Sequence, residues 1–338
     1  MGLRLADRWL WDFWIIRDGP DYHVFFLQAP RALGDPELRH WNVSIGHAVS
    51  TDLLTWEVLP DALRPGQPGA WDDYTTWTGS VFRNGGHWAM LYTGTARSER
   101  GLVQRVGLAV SDDLTTWTRH PGNPVLEADH RIYEALDLEE WHEEAWRDPW
   151  VIRDEVGVLH ALVTARSAGG EPASRGVIGL ARAESPERWE ILEPVTSPGP
   201  FGHMEIPQVV QVGERWCLLF SAPATRDAGS DPDDPRGLGG THYLLADAPL
   251  GPYDWSTHGV LLADRADTWY GAKLLEAPDG SLVCLSWLHR AADGTFVGEL
   301  SNPFEVFITT DGPRIEDPQP AGQHGRGRDR DRDEHHRG

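Results

Sequence analysis

The chain has 338 residues, with 52 acidic and 30 basic side chains, so its formal net charge is −22 at pH 7. This imbalance argues against a nucleic-acid partner, because phosphate binding needs a concentrated basic surface. Two cysteines are too few for a disulfide scaffold, and no apolar run reaches the ~18 residues of a membrane span. The N-terminus has no apolar segment of the kind that secretion signals contain, so we expect a cytoplasmic protein without membrane association.

Five segments of similar pattern follow one another along the chain. Each contains two strands of alternating apolar residues, with Gly, Asp or Asn at the turn between them. The segments span residues 11–29, 77–95, 147–165, 204–222 and 270–288. If Asp12, Thr78, Asp148, Glu205 and Gly271 are equivalent positions, the repeat lengths are 66, 70, 57 and 66 residues.

A second repeat lies between these hairpins, in residues 45–63, 106–126, 178–194 and 243–262. In its first three copies a glycine precedes a tryptophan by ten residues, and these tryptophans are Trp56, Trp117 and Trp189. In the fourth copy Trp255 takes the corresponding place. The pattern predicts a strand, a turn, and a second strand opened by a tryptophan that packs in the core.

Together the two repeats make five units of about four strands each. This predicts an all-β protein, a five-bladed β-propeller that forms a single domain over residues 1–317. A β-sandwich with long loops would not produce such a period. Residues 131–145 are predicted to form a short helix or a loop. Residues 318–338 form a glycine-rich tail of alternating charge, which we expect to be disordered.

The first residues of the inner strands surround one mouth of a propeller, so the openings of the five hairpins converge in space. Three of these openings carry a carboxylate: Asp12, Asp148 and Glu205. A buried carboxylate costs several kcal/mol unless it is paired or functional. Two carboxylates across a bond are the groups that glycoside hydrolysis requires. Arg147, next to Asp148, is expected to keep that aspartate ionised.

At these residues the sequence resembles glycoside hydrolase family 32, the invertase, inulinase and levanase group. The resemblance covers roughly residues 10–290. Its motifs are YHVFFLQ at 22–28, GHAVSTDLLTWEVLPDAL at 46–63, WTGS at 77–80, RDP at 147–149 and Glu205-Ile206-Pro207. The residues after the fifth hairpin are too few for the family's customary C-terminal β-sandwich.

The resemblance implies an exo-acting, retaining glycosidase that cleaves β-fructofuranosides of the sucrose or fructan type, or a related furanoside. By this resemblance Asp12 is the nucleophile, Glu205 the general acid/base, and Asp148 the stabiliser that binds adjacent sugar hydroxyls. Gln28, Trp77, Ser80 and Arg147 fall where the family contacts its substrate. Position in the repeat adds Trp14 and Tyr270 as substrate-binding residues.

The sequence departs from the family around Asp12, in Trp9-Leu10-Trp11-Asp12-Phe13-Trp14. The family's Asn before the nucleophile and its Pro-Asn-Gly after it are absent. Trp14 is therefore expected to reshape the floor of the pocket and to alter substrate choice.

Two alternatives stay open at this stage. An inverting arabinofuranosidase or xylosidase would use Asp12 as a general base, with carboxylates roughly 6.5–9.5 Å apart instead of about 5–5.5 Å. A non-catalytic carbohydrate-binding propeller would keep only the tryptophan-lined pocket. All three hypotheses call for a small carbohydrate ligand and for no cofactor or metal, since His142-Glu143 lacks the second histidine of a zinc-protease helix. The oligomeric state is left unspecified.

Overall fold

A computed structural model of the protein describes residues 2–225 and 234–316. The predicted tail, residues 318–338, lies outside the described residues. The described part forms five antiparallel sheets arranged as the blades of a propeller, which confirms the predicted all-β fold.

Each blade begins with its innermost strand and runs outward. Blade one contains β1 (Arg8–Asp18), β2 (Asp21–Pro30), β3 (Ser44–Ser50) and β4 (Glu57–Leu63). Blade two contains β5 (Thr75–Asn84), β6 (His87–Thr95), β7 (Arg105–Ser111) and β8 (Thr118–Arg119). Blade three contains β9 (Trp146–Arg153), β10 (Leu159–Arg166), β11 (Gly176–Ser185) and β12 (Arg188–Leu192). Blade four contains β13 (Glu205–Val212), β14 (Arg215–Ala222), β15 (Gly239–Ala246) and β16 (Gly259–Asp264).

Blade five differs from the others by one extra strand. It contains β17 (Trp269–Glu276), β18 (Leu282–Arg290), β19 (Phe296–Leu300), β20 (Phe304–Thr309) and β21 (Gly312–Ile315). Both β19 and β20 pair with β18, at different parts of its length. The chain start meets this blade, because the Leu300 N–H donates to the Leu3 carbonyl at 3.0 Å and β19 contacts β1. The ring is thus closed between the first and last blades.

The inner strands β1, β5, β9, β13 and β17 contact one another in a ring around the centre. Apolar side chains fill the spaces between neighbouring blades, because each sheet buries both of its faces against the next. The two cysteines, Cys217 on β14 and Cys284 on β18, are free and buried in this core. Within the described ranges, no helix is both long and apolar enough to cross a membrane.

The four repeat tryptophans pack against the core as predicted. Trp56 and Trp117 directly precede β4 and β8, and Trp189 lies within β12. Trp255 differs, because it begins a short 3₁₀ helix (Trp255–Thr257) instead of a strand. Asp254 caps this helix, since its side chain accepts a hydrogen bond from the Ser256 N–H.

The segment 131–145 is a loop without a helix. Its Glu134 pairs with Arg166 and Arg175, and the Arg166 guanidinium lies 3.6 Å above the Trp141 ring. Five further 3₁₀ segments occur in the described chain: Arg31–Leu33, Pro36–Trp41, Arg97–Glu99, Pro172–Ser174 and Pro235–Gly237. Two of these irregular segments, the loop 131–145 and Pro36–Trp41, extend to the same mouth of the propeller.

Candidate active site

Residues in the first half of each of the five inner strands line one cavity of about 350 Å³. The strands contribute Trp11 and Asp12, Trp77 and Thr78, Arg147 and Asp148, Glu205 and Ile206, and Tyr270. The cavity therefore brings the three carboxylates predicted from the hairpin openings to one place.

A β-bulge interrupts each inner strand at this level. Four of the bulges hold a residue at positive φ: Asp12 at 26°, Asp148 at 57°, Ile206 at 54° and Gly271 at 62°. Non-glycine residues adopt such angles only where the surrounding structure enforces them, and they concentrate at functional sites.

The bulges correct one predicted equivalence. Glu205 pairs with Ser221 just before its bulge, as Arg147 pairs with Thr164 before its own. Ile206, not Glu205, is therefore the equivalent of Asp12 and Asp148. Glu205 still reaches the cavity, because residues on both sides of each bulge line it.

Asp12 is held by uncharged donors. Its Oδ1 accepts a hydrogen bond from Trp287 Nε1 at 3.1 Å, and its Oδ2 accepts one from Thr78 Oγ1 at 3.4 Å. Burial, together with the charges of Asp148 and Glu205, raises the pKa of Asp12 to about 7, although Arg39 and Lys273 oppose the increase. Asp12 therefore exchanges its proton near neutral pH.

Asp148 is more deeply enclosed. Its Oδ2 accepts hydrogen bonds from Thr164 Oγ1 at 2.8 Å and from the Ile206 N–H at 3.2 Å, and Arg147 Nε lies 3.5 Å away. Burial raises the pKa of Asp148 above its usual range, while Arg147 lowers it. These three donors fix the orientation of this carboxylate.

Glu205 is held from two sides. Arg147 Nη2 donates to its Oε1 at 2.6 Å, and the Tyr270 hydroxyl donates to its Oε2. Arg147 is fixed in turn, because its Nη1 donates to Glu143 Oε1 at 2.6 Å and to Gln104 Oε1 at 3.0 Å. Burial works against its charge, but Glu143, Glu205 and Asp148 together raise the pKa of Arg147.

Lys273, the only lysine of the chain, lies within the inner strand β17 and is 1% exposed. Its Nζ donates to the carbonyls of Ile206 at 2.6 Å and Pro207 at 3.4 Å. Burial lowers its pKa to about 7, against the opposing effect of Asp148 and Asp12. The lysine places a positive charge near both aspartates and ties the bulge of β13 to β17.

Three of the six predicted substrate-binding residues line the cavity: Trp77, Arg147 and Tyr270. Trp77 Nε1 donates to the His40 carbonyl at 3.0 Å, which leaves its ring as part of the wall. The prediction that these residues contact substrate stays a prediction.

Trp14, Gln28 and Ser80 are not among the residues that line this cavity, and their contact with substrate stays a prediction. Trp14 is 1% exposed and stacks on Phe25, so it does not form the floor of the pocket. Gln28 Nε2 donates to Asp61 Oδ1 at 2.8 Å, and Ser80 Oγ accepts from the Val151 N–H at 3.2 Å. For Trp14 and Ser80 the physical reason is the bulge in β1 or β5, since one extra residue changes the face toward which the following side chains point. Gln28 instead lies on β2, the second strand of its blade.

Several cavity residues were missed at the sequence level: Arg39, His40, Trp41, His142, Glu143, His203, Trp287 and His289. The turn Asp35-Pro36 before Arg39 is a usable signal, because Asp caps a helical turn and Pro begins one. Trp287 pairs with Tyr270 across the fifth hairpin, so its position follows from the hairpin register. No such local signal exists for His142, Glu143 and His203.

Three of the histidines that line the cavity are held neutral. Burial lowers the pKa of His40 and of His289 to about 3, and lowers the pKa of His203 well below its usual value. Across residues 2–225 and 234–316, no group of three or more His, Cys, Asp or Glu side chains is arranged to hold a metal ion. The charged groups that line this cavity are thus carboxylates and arginines.

The family profile for the N-terminal domain of glycosyl hydrolases family 32 matches residues 14–302. The match begins just after Asp12, so the assignment of that residue depends on its geometry. The chain is 27% identical over 298 residues to a cell-wall β-fructofuranosidase of Pisum sativum, covering 82% of the chain and 50% of that protein. It is 26% identical over 280 residues to a sucrose-6-phosphate hydrolase of Zymomonas mobilis, covering 79% of the chain and 50% of that protein.

The chain thus spans about half the length of the curated relatives it matches. Among solved structures, the inulosucrase of Halalkalicoccus jeotgali bound to kestose superposes with a TM-score of 0.75 at 22% identity. The superposition covers 92% of this chain and 87% of that one. This likeness supports the propeller fold.

Proposed function

The chain belongs to glycosyl hydrolases family 32, and from this membership we propose that it is a retaining, exo-acting glycosidase that cleaves β-fructofuranosides. The substrate is a small carbohydrate of the sucrose or fructan type, bound in the cavity at the mouth of the propeller. Asp12 serves as the nucleophile, Glu205 as the general acid/base and Asp148 as a ligand of the sugar hydroxyls.

One observation carries this proposal: Asp12, Asp148 and Glu205 line a single cavity with three different sets of partners. Asp12 has neutral donors and no ion pair within 4 Å among the described residues. Glu205 is held by a guanidinium and a phenol and lines the cavity in which a ligand can lie. Different environments give chemically similar carboxyl groups different tasks.

The proposed reaction proceeds in two displacements. In the first, Glu205 donates a proton to the glycosidic oxygen while Asp12 attacks the anomeric carbon. The glycosidic bond breaks, the leaving sugar departs as an alcohol, and an ester joins the fructosyl group to Asp12. In the second, Glu205 removes a proton from water, the water oxygen attacks the anomeric carbon, and Asp12 is released as a carboxylate.

Asp148 and the cavity walls act on both steps. The positive charge of the oxocarbenium-like transition state develops between carboxylates whose positions are already fixed by hydrogen bonds. Asp148 accepts hydrogen bonds from the sugar hydroxyls and thereby holds the ring in place. Trp11, Trp77 and Tyr270 cover the ring with aromatic surface, which excludes water from the ester.

The first test measures sugar release from sucrose, inulin, levan, an aryl β-xyloside and an aryl α-arabinofuranoside. We expect fructose from the wild type, and we expect Asp12→Asn and Glu205→Gln each to lose at least ~10³-fold in kcat. Asp247→Asn, which changes an exposed carboxylate paired with Arg215, is the matched control and keeps full activity. Release of pentose instead of fructose would favour an inverting pentosidase.

A second measurement addresses the stereochemistry. NMR of the first product formed distinguishes retention of the β-anomer from inversion, before mutarotation mixes the two. Full activity of either carboxyl variant, or an inverted product, would contradict the assignment of Asp12 as nucleophile. Binding of fructose without any turnover would point to a carbohydrate-binding propeller.

A further inference from the structure

Arg39 occupies an unusual position in the cavity wall. It lies in the 3₁₀ segment Pro36–Trp41 between β2 and β3, which Asp35 caps by accepting from the Glu37 N–H. The residue is only 6% exposed, yet it lines the same cavity as Asp12. Its guanidinium lies over the Phe296 ring, 4.2 Å from the ring centroid, and 5.7 Å from that of Trp11.

The guanidinium uses only part of its hydrogen-bonding capacity. Nη1 donates to the Pro36 carbonyl at 2.9 Å and to Glu37 Oε1 at 3.3 Å. Nε is buried and has no partner, and no described residue accepts a hydrogen bond from Nη2. A buried guanidinium with unused donors is costly, and such groups in native proteins call for an explanation.

Arg39 does not neutralise Asp12 directly. Its positive charge lowers the pKa of Asp12, but no nitrogen of Arg39 lies within 4 Å of the Asp12 carboxylate. The same wall holds His289, whose Nδ1 is also buried without a partner. Asp12 and Arg39 thus line one cavity without forming an ion pair, which leaves room for a group between them.

The chemistry of that group follows from its two neighbours. A hydroxyl accepts from a guanidinium and donates to a carboxylate at the same time. A phosphate or carboxylate would also accept from Arg39, but Asp12, Asp148 and Glu205 would repel it. The space next to Asp12 therefore favours a sugar hydroxyl over an anionic substituent.

Apart from Asp12, this part of the inner strand offers the sugar few hydrogen-bonding groups. Leu10, Trp11, Phe13 and Trp14 flank the aspartate with aliphatic and aromatic side chains. We propose that Arg39 binds a hydroxyl of the sugar ring that Asp12 attacks, and that it determines which ring the cavity accepts. This inference rests on the proposed function, because it deepens the description of the same site.

The experiment combines variants of Arg39 with substrates that lack single hydroxyls. The variants are Arg39→Gln, which removes the charge, and Arg39→Lys, which keeps the charge without the planar donor edge. The control is Arg83→Gln, an arginine stacked on Trp88 at 3.5 Å outside the cavity. The substrates are the fructoside cleaved fastest and its 3-, 4- and 6-deoxyfructosyl analogues. Circular dichroism of each variant verifies that it is folded.

We expect Arg39→Gln to lower kcat/KM on the parent substrate by about 10- to 100-fold, the effect of one charge-assisted hydrogen bond. One deoxy analogue should cost the wild type a similar factor and cost Arg39→Gln almost nothing more, since the contact is already lost. Arg39→Lys should fall between the two. The proposal would be overturned if every deoxy analogue lowered kcat/KM by the same factor in the wild type and in Arg39→Gln. It would also be overturned if the kcat/KM of Arg39→Gln on the parent substrate lay within threefold of the wild-type value.

Calorimetric titration with fructose and its deoxy forms separates this inference from the proposed function. If the wild type cleaves no fructoside but binds fructose more tightly than Arg39→Gln does, the role of Arg39 is upheld and the proposed hydrolase is refuted. If the wild type cleaves fructosides but Arg39→Gln binds fructose equally well, the hydrolase is upheld and the role of Arg39 is refuted. No binding and no turnover would overturn both.

Discussion

Each of the three carboxylates in the cavity depends on a different kind of partner. Glu205 has a guanidinium and a phenol, whereas Asp12 has an indole N–H and a hydroxyl. Only Glu205 is paired with a positive charge, so the charge of Asp12 is the less well compensated. A carboxylate that must form and later release an ester needs to remain reactive, and sparse solvation keeps it so.

This poor solvation predicts a gain in stability when the charge of Asp12 is removed. The pKa of Asp12 is raised from its usual 3.8 to about 7, so between these values the folded protein holds a proton that the unfolded chain has released. The free energy of unfolding therefore falls as pH rises through that window. We expect the stability of Asp12→Asn relative to wild type to increase by about 2 kcal/mol between pH 5 and pH 8, because only the wild type loses stability as Asp12 ionises.

Urea unfolding of both proteins at the two pH values measures this difference. Asp247→Asn, at an exposed position, supplies the control and should show no pH-dependent change. A stability difference that is the same at pH 5 and pH 8 would mean that the pKa of Asp12 is not raised by folding.

At the scale of single elements, the loop 131–145 does more than connect two blades. It carries Glu143, which accepts hydrogen bonds from Arg147 Nη1 at 2.6 Å and from Gln104 Nε2 at 2.8 Å. Arg147 is thereby shared between Glu143 and Glu205. The loop thus sets how much positive charge the proposed acid/base experiences, so Glu143 is a positioning residue.

Glu143→Gln should therefore slow the reaction. Without the negative charge of Glu143, Arg147 loses the partner that fixes its Nη1 and is no longer held in the geometry that orients Glu205. We expect kcat to fall about 10-fold, with KM nearly unchanged. Steady-state kinetics measures both values. Glu139→Gln, an exposed residue of the same loop, should keep the wild-type kcat; an equally unchanged kcat in Glu143→Gln would refute the coupling.

At the scale of the whole molecule, two of the blades each contain a pair of stacked histidines in the same kind of position. In blade one His47 stacks on Phe25 and lies 3.0 Å from His23, measured between ring nitrogens. In blade four His242 stacks on Phe220 and lies 3.1 Å from His258. Both His47 and His242 have no exposed surface, and burial lowers the pKa of each to about 3.

These pairs predict that acid unfolds the propeller. Between pH 6.5 and 3 the unfolded chain binds protons that the buried histidines cannot, so stability is full above about pH 6.5 and is lost as pH falls toward 3. His47→Gln removes one such group. It should therefore lose less of its pH 7 stability on acidification than wild type does, and its acid-unfolding midpoint should lie at lower pH. Fluorescence of the tryptophans during acid titration follows this transition. His87→Gln, at an exposed histidine, should have no effect; the same midpoint in all three proteins would contradict the prediction.

The sequence by itself determined the number of blades, because alternating apolar residues and turn signals are local properties that repeat with the chain. It also predicted that Asp12, Asp148, Glu205, Arg147 and Tyr270 meet, since residues at the same level of successive inner strands converge in a propeller. Their catalytic roles stay predictions. The tertiary structure decided the finer positions: Ile206 takes the place expected of Glu205, and Trp14 lies in the core.

The physical reason is that one extra residue in a strand reverses the face of every side chain after it, and the hydrophobic pattern alone does not reveal where that residue is inserted. The sequence did not place Arg39 and Glu143 in the cavity for a related reason, although Asp35-Pro36 signals the helical turn that carries Arg39. They lie on irregular segments whose paths depend on contacts with distant residues, such as Phe296 under Arg39 and Gln104 beside Glu143. Local pattern thus fixed the blades, and long-range packing fixed the walls of the cavity.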